Sequence, residues 1–399
     1  MIPGTAAVDL GAMAMDNSAA LLNLPPITPA YVRVTGPGHE QTAGALTVAE
    51  CALLEHRYAD VISALGDVHI PSASAPDLAL RVLNCETWAR LYLGELETAD
   101  ALAERARALT EGTSFTDAER GDALFRLGAV RLKRARVSNA VSLFTLAIRL
   151  AERGGPSGER VRSQAFEWRS RCYQLQREWE AAQADAEAAV ELAQSAGDRK
   201  LEALARMQCS LVAERRGDPL LARFYAEQAR SLAAEQRDRQ TEARIVNNLG
   251  GLSFLLGEPE VAVAHLKEAF AMSLEVGNDA DAAQAVSSLA QVHLRCGAPQ
   301  LAEEQARHAL SILGDRGDYV DERGNVHLVL GRALLEQSRA DEAMKEFAQA
   351  EWLFESLGSV SHVAAAWLAQ GDLYRLQGDI EAAADLFRKA AEALQDFNF

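Results

Sequence analysis

Small and apolar side chains recur along the chain at helical spacing, in an order that repeats. The last copy reads WLAQGDLYRLQGDIEAAADLFRKA. Trp367, Gly371 and Tyr374 fall on one stripe (i, i+4, i+7), Gly378 follows, and Ala383, Phe387 and Ala390 form a second stripe. Forty residues earlier the same places hold His327, Gly331, Leu334, Ala343, Phe347 and Ala350. Each copy predicts two amphipathic helices joined by a short turn.

Further back the second stripe is filled by Ala302, Ala306 and Ala309, then Ala262, Leu266 and Ala269, then Ala222, Ala226 and Ala229. It continues through Ala182, Ala186 and Ala189, then Ala140, Phe144 and Ala147, then Ala99, Ala103 and Ala106. With Gly371 placed at position 8 of its unit, the equivalent residues are 331, 290, 250, 210, 170, 128 and 87, in steps of 40 to 42. Eight units are thus in register, and a degenerate ninth is expected over residues 42–79. The turn inside a unit is marked by Gly94, Gly217, Gly257, Gly297 and Gly378, where the chain reverses without a Cβ penalty. Gly197 and Gly277 read as helix stops after the second helix. Small residues at position 8 and at the first alanine of the second stripe (position 20) imply that the two helices cross closely there.

A fixed period changes the reading of the whole chain. A single core rarely exceeds about 250 to 300 residues, and 399 residues in repeated units predict an array in which each unit packs on its neighbours. Residues 1–41 do not join the repeat. Pro25, Pro26, Pro29 and Pro37 predict a flexible or extended arm, in which Leu21, Leu22 and Leu24 are a candidate cap for the first repeat. The domain division is therefore an arm over 1–41 and an array over 42–399. The segment GPGHEQTAG at 36–44 lacks the lysine and preceding strand of a phosphate-binding loop and reads as a plain loop.

Over about residues 42–395 this pattern resembles the tetratricopeptide repeat family. The length near 40 residues, against the roughly 34 of the familiar unit, resembles the subgroup found in kinesin light chains and in the sensor halves of bacterial transcription activators. Position 4 is tryptophan only at Trp367, position 8 is glycine only at Gly128, Gly250, Gly331 and Gly371, and the closing proline is absent. The resemblance implies an all-α, right-handed α-solenoid of eight to nine helix-turn-helix repeats. It also implies a concave groove lined by positions 2, 5, 9 and 12 of the first helices, with position 6 at the edge. The candidate binding residues are then Arg171, Arg244, Asn247, Asn248, Phe254, Gln284, Ser287, Gln291, Asn325 and Arg332. Amides and arginines of this kind suit the backbone and carboxylates of an extended peptide. Asn247 and Asn248, in VNNLGG, resemble the asparagines with which related arrays hold peptide backbones. Asn84, Trp88, Phe125, Gln164, Glu167 and Gln174 share the inward positions.

Lys+Arg 40 against Asp+Glu 57 gives a formal charge of −17, which repels a phosphate backbone and argues against direct nucleic-acid binding. Arginines on the inward positions would set a positive groove in an acidic protein, so the expected partner is a protein or peptide, with acidic character the favoured chemistry. Cys51, Cys85, Cys172, Cys209 and Cys296 are widely spaced, with no CxxC pair, so a disulfide framework or a zinc site is not expected. The first four fall in first helices and read as small buried hydrophobes, in keeping with a reducing cytoplasm. No uninterrupted apolar run approaches the roughly 20 residues that cross a bilayer, and no leader peptide is read.

HExxH, GxxxxGK[ST] and GxSxG are all missing. The scattered histidines, among them His293 and His327 on core positions, read as structural. Glu303, Glu304, Asp341 and Glu342 lie opposite the alanine stripe and read as a solvated face, as does Glu268. No catalytic residues, metal or cofactor are expected. The function expected is that of a non-enzymatic scaffold or adaptor whose groove holds a protein or peptide. The alternative is a peptide-responsive bacterial regulator whose ligand changes the array's conformation. After Ala390 the chain ends AEALQDFNF, with Phe397 and Phe399 expected to fold over the last pair or to enter a second subunit, making a homo-oligomer.

Overall fold

The structure is a computed structural model that describes residues 37–54, 57–66, 75–112, 114–134, 136–314, 319–357 and 359–395. Within these residues it contains helices only, in nine consecutive pairs. They are α1 (Pro37–Leu54) with α2 (Tyr58–Leu65), α3 (Pro76–Tyr92) with α4 (Leu96–Thr110), and α5 (Asp117–Lys133) with α6 (Val137–Arg153). After a 3₁₀ turn at Gly155–Gly158 come α7 (Glu159–Leu175) with α8 (Trp179–Ser195), α9 (Arg199–Arg215) with α10 (Pro219–Glu235), and α11 (Arg239–Leu255) with α12 (Pro259–Glu275). The last three are α13 (Asp279–Arg295) with α14 (Pro299–Leu313), α15 (Val320–Glu336) with α16 (Ala340–Ser356), and α17 (Val360–Gln377) with α18 (Ile380–Gln395). The all-α solenoid read from the period is present, including the degenerate first unit.

Two expectations need correction. The segment 36–44 is not a plain loop, because α1 begins at Pro37; proline is well suited to a first helical turn, whose N–H has no intrahelical acceptor. Cys85, Cys172 and Cys209 are buried, but Cys51 and Cys296 are exposed. Cys51 lies between the inward Leu46, Ala49 and Ala52 of α1 and points away from them. The tail carrying Phe397 and Phe399, and the arm before Pro37, lie outside the described residues. At the end of the array Leu376 and Ile380 are exposed.

The turns explain why the helices stop where they do. Gly217 has φ of 82°, and its N–H donates to the Glu214 carbonyl at 2.9 Å while the Asp218 N–H donates to the Ala213 carbonyl at 3.0 Å. This Schellman arrangement satisfies the last carbonyls of α9. Asp218 then caps α10 by accepting from the Leu221 N–H at 3.0 Å, and Pro219 occupies the first turn, where no donor is needed. Three residues therefore end one helix and start the next.

Within each pair, the residue at position 8 meets the residue 16 places later, and their sizes compensate. Gly128 faces Phe144, Gly250 faces Leu266, Gly331 faces Phe347 and Gly371 faces Phe387; a Cβ on these glycines would lie 2.4 to 2.7 Å from the partner ring or methyl. Where the later residue is alanine, at Ala103, Ala186, Ala226 and Ala306, the earlier one is Thr87, Ser170, Ser210 and Ala290. The volume at the crossing is thus kept roughly constant, as close packing requires.

Successive first helices pack on one another, as α5 on α7 and α13 on α15, while among the described residues no comparable packing joins successive second helices. The array therefore curves with its first helices inside. The inward positions of α3, α5, α7, α9, α11, α13, α15 and α17 face the groove that results.

Candidate functional site

Curvature sets the environment of the inward residues. First helices touch first helices on both sides, so their polar side chains lose most of their solvent. Arg171, Arg244 and Asn247 are 2%, 6% and 5% exposed, and Asn248 and Ser287 are also buried. Phe254, Gln284, Gln291 and Asn325 are half-buried, and Arg332 is exposed.

The arginines do not leave the groove positive. Arg171 is held by Glu167 one turn earlier on the same helix, Nε to Oε1 2.7 Å. Its guanidinium stacks over Trp168 at 4.9 Å. Arg244 of α11 reaches across to Asp281 of α13, Nε to Oδ2 2.8 Å. Arg332 interacts with the charges of Asp372 and Arg295. A charge buried this deeply persists only if paired, and the carboxylates come from Glu167 on an inward position of α7 and from Asp281 in the first turn of α13. Burial pushes the Glu167 carboxyl up to about 7 even though Arg171 acts to lower it.

The second to fourth repeats are filled from inside by aromatic rings. Trp88 lies 5.8 Å from Phe125 and 5.9 Å from Trp168, and Phe125 lies 6.0 Å from Trp168 edge to face. Arg126 covers Trp88 at 5.1 Å. The inward positions of α3 and α5 thus close the floor of the groove at one end.

Opposite walls also come within reach of one another. Tyr58 of α2, stacked on Tyr92 at 4.7 Å, interacts with the charges of Arg244 and Asp281 on α11 and α13. Lys133 at the end of α5 interacts with Asp321 and Glu322 at the start of α15, and with Arg171. Burial depresses the Lys133 ammonium and raises the Glu322 carboxyl. These pairs are separated by about half the array, so the curvature brings its walls face to face.

Inside this enclosure a set of buried polar atoms has no hydrogen-bond partner among the described residues. On α7 these are Gln164 Oε1, Glu167 Oε2, Arg171 Nη1 and Gln174 Nε2. Asn84 Oδ1 on α3, Asp122 Oδ1 on α5, Asn247 Oδ1 on α11 and Asn325 Nδ2 on α15 join them. Each such atom costs about 1 to 3 kcal/mol when left unmatched. Along α7 two acceptors, on Gln164 and Glu167, are followed by two donors, on Arg171 and Gln174, and an extended main chain can answer both kinds with its own N–H and C=O groups. The sequence reading singled out Arg171 of this helix but not Gln164, Glu167 or Gln174. Four polar residues on the four inward positions of one helix were the available signal.

A sequence profile described as Tetratricopeptide repeat matches residues 364–393, within α17 and α18. The chain is a tetratricopeptide-type repeat protein. Among solved structures, this array is similar to a Rap protein complexed with Competence and Sporulation Factor, with TM-score 0.61 and 15% identity over 90% of this chain and 97% of the other. It is similar to Aspartyl phosphate phosphatase F from Bacillus subtilis (TM-score 0.56, 15% identity, 92% and 97% covered). It is also similar to the apo form of the quorum sensor NprR from B. thuringiensis (TM-score 0.56, 10% identity, 90% and 97% covered). No protein with a curated description matches the sequence. At these identities the likeness establishes the fold of the tetratricopeptide array, and the chemistry of its groove rests on the residues above. No helix among the described residues is long and apolar enough to cross a membrane.

Proposed function

We propose that this protein binds an extended peptide, or an extended segment of a protein, along its inner groove and acts by binding rather than by catalysis. The supporting observation is the row of buried, unmatched donors and acceptors on the inward face, above all Gln164, Glu167, Arg171 and Gln174 of α7 together with Asn247 and Asn325. A peptide main chain satisfies such a row without regard to sequence, and the half-buried Phe254, Gln284 and Gln291 would contact its side chains. Ser287, Asn248 and Arg244 complete the lining, with Arg332 at its exposed margin. Because Arg171 and Arg244 already hold carboxylates, an acidic ligand has to compete with Glu167 and Asp281. We therefore favour main-chain recognition over charge as the source of affinity. A cytoplasmic location accords with the three buried free cysteines.

A second reading, a peptide-responsive regulator, is favoured by the interactions across the groove. A segment lying between Lys133 and Glu322, or between Tyr58 and Arg244, would change the spacing of the walls and so the pitch of the array. Two of the similar structures are a Rap protein complexed with Competence and Sporulation Factor and the quorum sensor NprR.

Selection of a random heptapeptide display library on the purified chain, followed by calorimetry on synthetic copies of the enriched sequences, tests the first reading. Saturable one-to-one binding is expected, and a library that yields no enriched sequence removes it. Small-angle scattering with and without the best peptide tests the second: a change in radius of gyration is expected of a regulator, an unchanged profile of a passive scaffold.

A further inference from the structure

Because successive second helices diverge on the outer face, a cleft lies between each neighbouring pair, floored by the first helix beneath them. In most repeats a long side chain crosses or fills it. Arg131 of α5 pairs with Asp100 and Glu104 of α4 at 2.8 Å. Arg169 of α7 lies against the rings of Phe166 and Tyr173 and bonds Asp185 of α8 and Thr145 of α6 at 2.7 and 2.9 Å. His327 of α15 meets Glu346 of α16 at 2.6 Å. Trp367 of α17 bonds Glu351 of α16 and lies under the Lys389 ammonium at 3.8 Å. Over α11, where the floor is Val246, Arg230 of α10 spans to Glu268 of α12 instead, and the cavity of about 460 Å³ left beside it is lined by the charged Arg230, Glu227 and Glu242.

Over α13 neither device operates. The floor residue is Val286, and the places of Arg230 and Glu268, forty residues on, hold Phe270 and His308, which meet edge to face at 5.6 Å. What remains is a cavity of about 430 Å³ walled by Leu266, Phe270, Val286, Leu289 and Leu301. Lys267, His293, Glu304 and His308 stand around it. Neither Lys267 nor Glu304 forms an ion pair among the described residues, although both act on the charge of His293. An apolar hollow flanked by one unpaired cation and one unpaired carboxylate is complementary to a zwitterion with an apolar body.

We propose that this outer cleft is a binding site for a free apolar α-amino acid, its side chain between Phe270, Leu289 and Leu301, its carboxylate toward Lys267 and its ammonium toward Glu304. The volume suits a leucine or phenylalanine side chain with its main-chain groups, and lies within the range of small-molecule sites. The site lies on the face opposite the groove, so the two stand or fall separately.

Calorimetry of the full chain with L-phenylalanine and L-leucine, and with 3-phenylpropionate and 2-phenylethylamine, tests the proposal. Each amine or acid lacks one of the two charges. The amino acids are expected to bind with millimolar or better affinity, and each truncated analogue about tenfold more weakly. Val286→Arg, which reproduces the residue at the equivalent Arg206, is expected to abolish binding. Lys267→Glu, an exposed change that leaves the core intact, is expected to weaken phenylalanine about tenfold and leave groove peptides unaffected. No heat with either amino acid, equal binding of an analogue lacking one charge, or full binding by Lys267→Glu would each overturn it.

Discussion

Gly331 and Phe347 are locked in size: a Cβ at 331 would lie 2.4 Å from the Phe347 ring, so a phenylalanine at one end of the crossing permits only glycine at the other. Gly331→Ala is therefore expected to cost about 1 to 3 kcal/mol by overpacking, and Phe347→Ala about 3 to 5 kcal/mol by opening a cavity. The two together reproduce the Ala290 and Ala306 pair of the previous unit. The double variant should be clearly more stable than the sum of the single losses predicts. A double-mutant cycle in urea with no coupling between the sites would contradict this.

The sequence contained this relationship, since each glycine at position 8 is followed 16 residues later by Phe144, Leu266, Phe347 or Phe387. Helix content, repeat number and turns were equally legible, because period and glycine placement are local properties. The state of the groove was legible only in part. The pairing of Arg171 with Glu167 is an i,i+4 spacing that the sequence does contain, whereas that of Arg244 with Asp281 depends on how α13 is set against α11, which spacing alone does not give. Glu303 failed for the same reason. It read as solvated within its own helix, yet it accepts from Gln337 at 2.9 Å and Arg339 at 2.6 Å of the next repeat, and from Arg307 at 2.9 Å.

Glu303→Lys is accordingly expected to be harmful, placing a cation between Arg307 and Arg339 and leaving Gln337 without its carboxylate. A loss of about 1 to 2 kcal/mol is expected, smaller than the several kcal/mol of Ala302→Asp, which buries an unpaired charge at the helix crossing. Thermal melts that rank the two in the opposite order, or find Glu303→Lys silent, would contradict the inter-repeat network.

Glu167 gives the protein a pH dependence of definite sign. Its folded pKa, about 7, lies above the unfolded value, so its contribution to stability is fully present below the unfolded pKa and is lost as pH rises through 7. Glu167→Gln removes this titration. Relative to that variant the wild type should lose about 2 to 3 kcal/mol between pH 4.5 and pH 8, measured as the difference in urea midpoints. A difference that stays constant with pH would place the carboxyl in an environment much wetter than its 3% exposure.

Arg244 is a poor probe of binding, because reversing it would set a carboxylate against Asp281 and disturb the wall itself. Asn247 and Gln164 are better, since each carries a buried oxygen with no partner among the described residues. The central claim, that the groove holds polar groups in readiness for a peptide main chain, is tested most directly by measuring two quantities on Asn247→Ala and Gln164→Leu. These are the melting temperature without ligand and the affinity for a library-selected peptide. The account predicts that the melting temperature is unchanged or raised while affinity falls about tenfold. A lower melting temperature with undiminished affinity would make these side chains structural and contradict it.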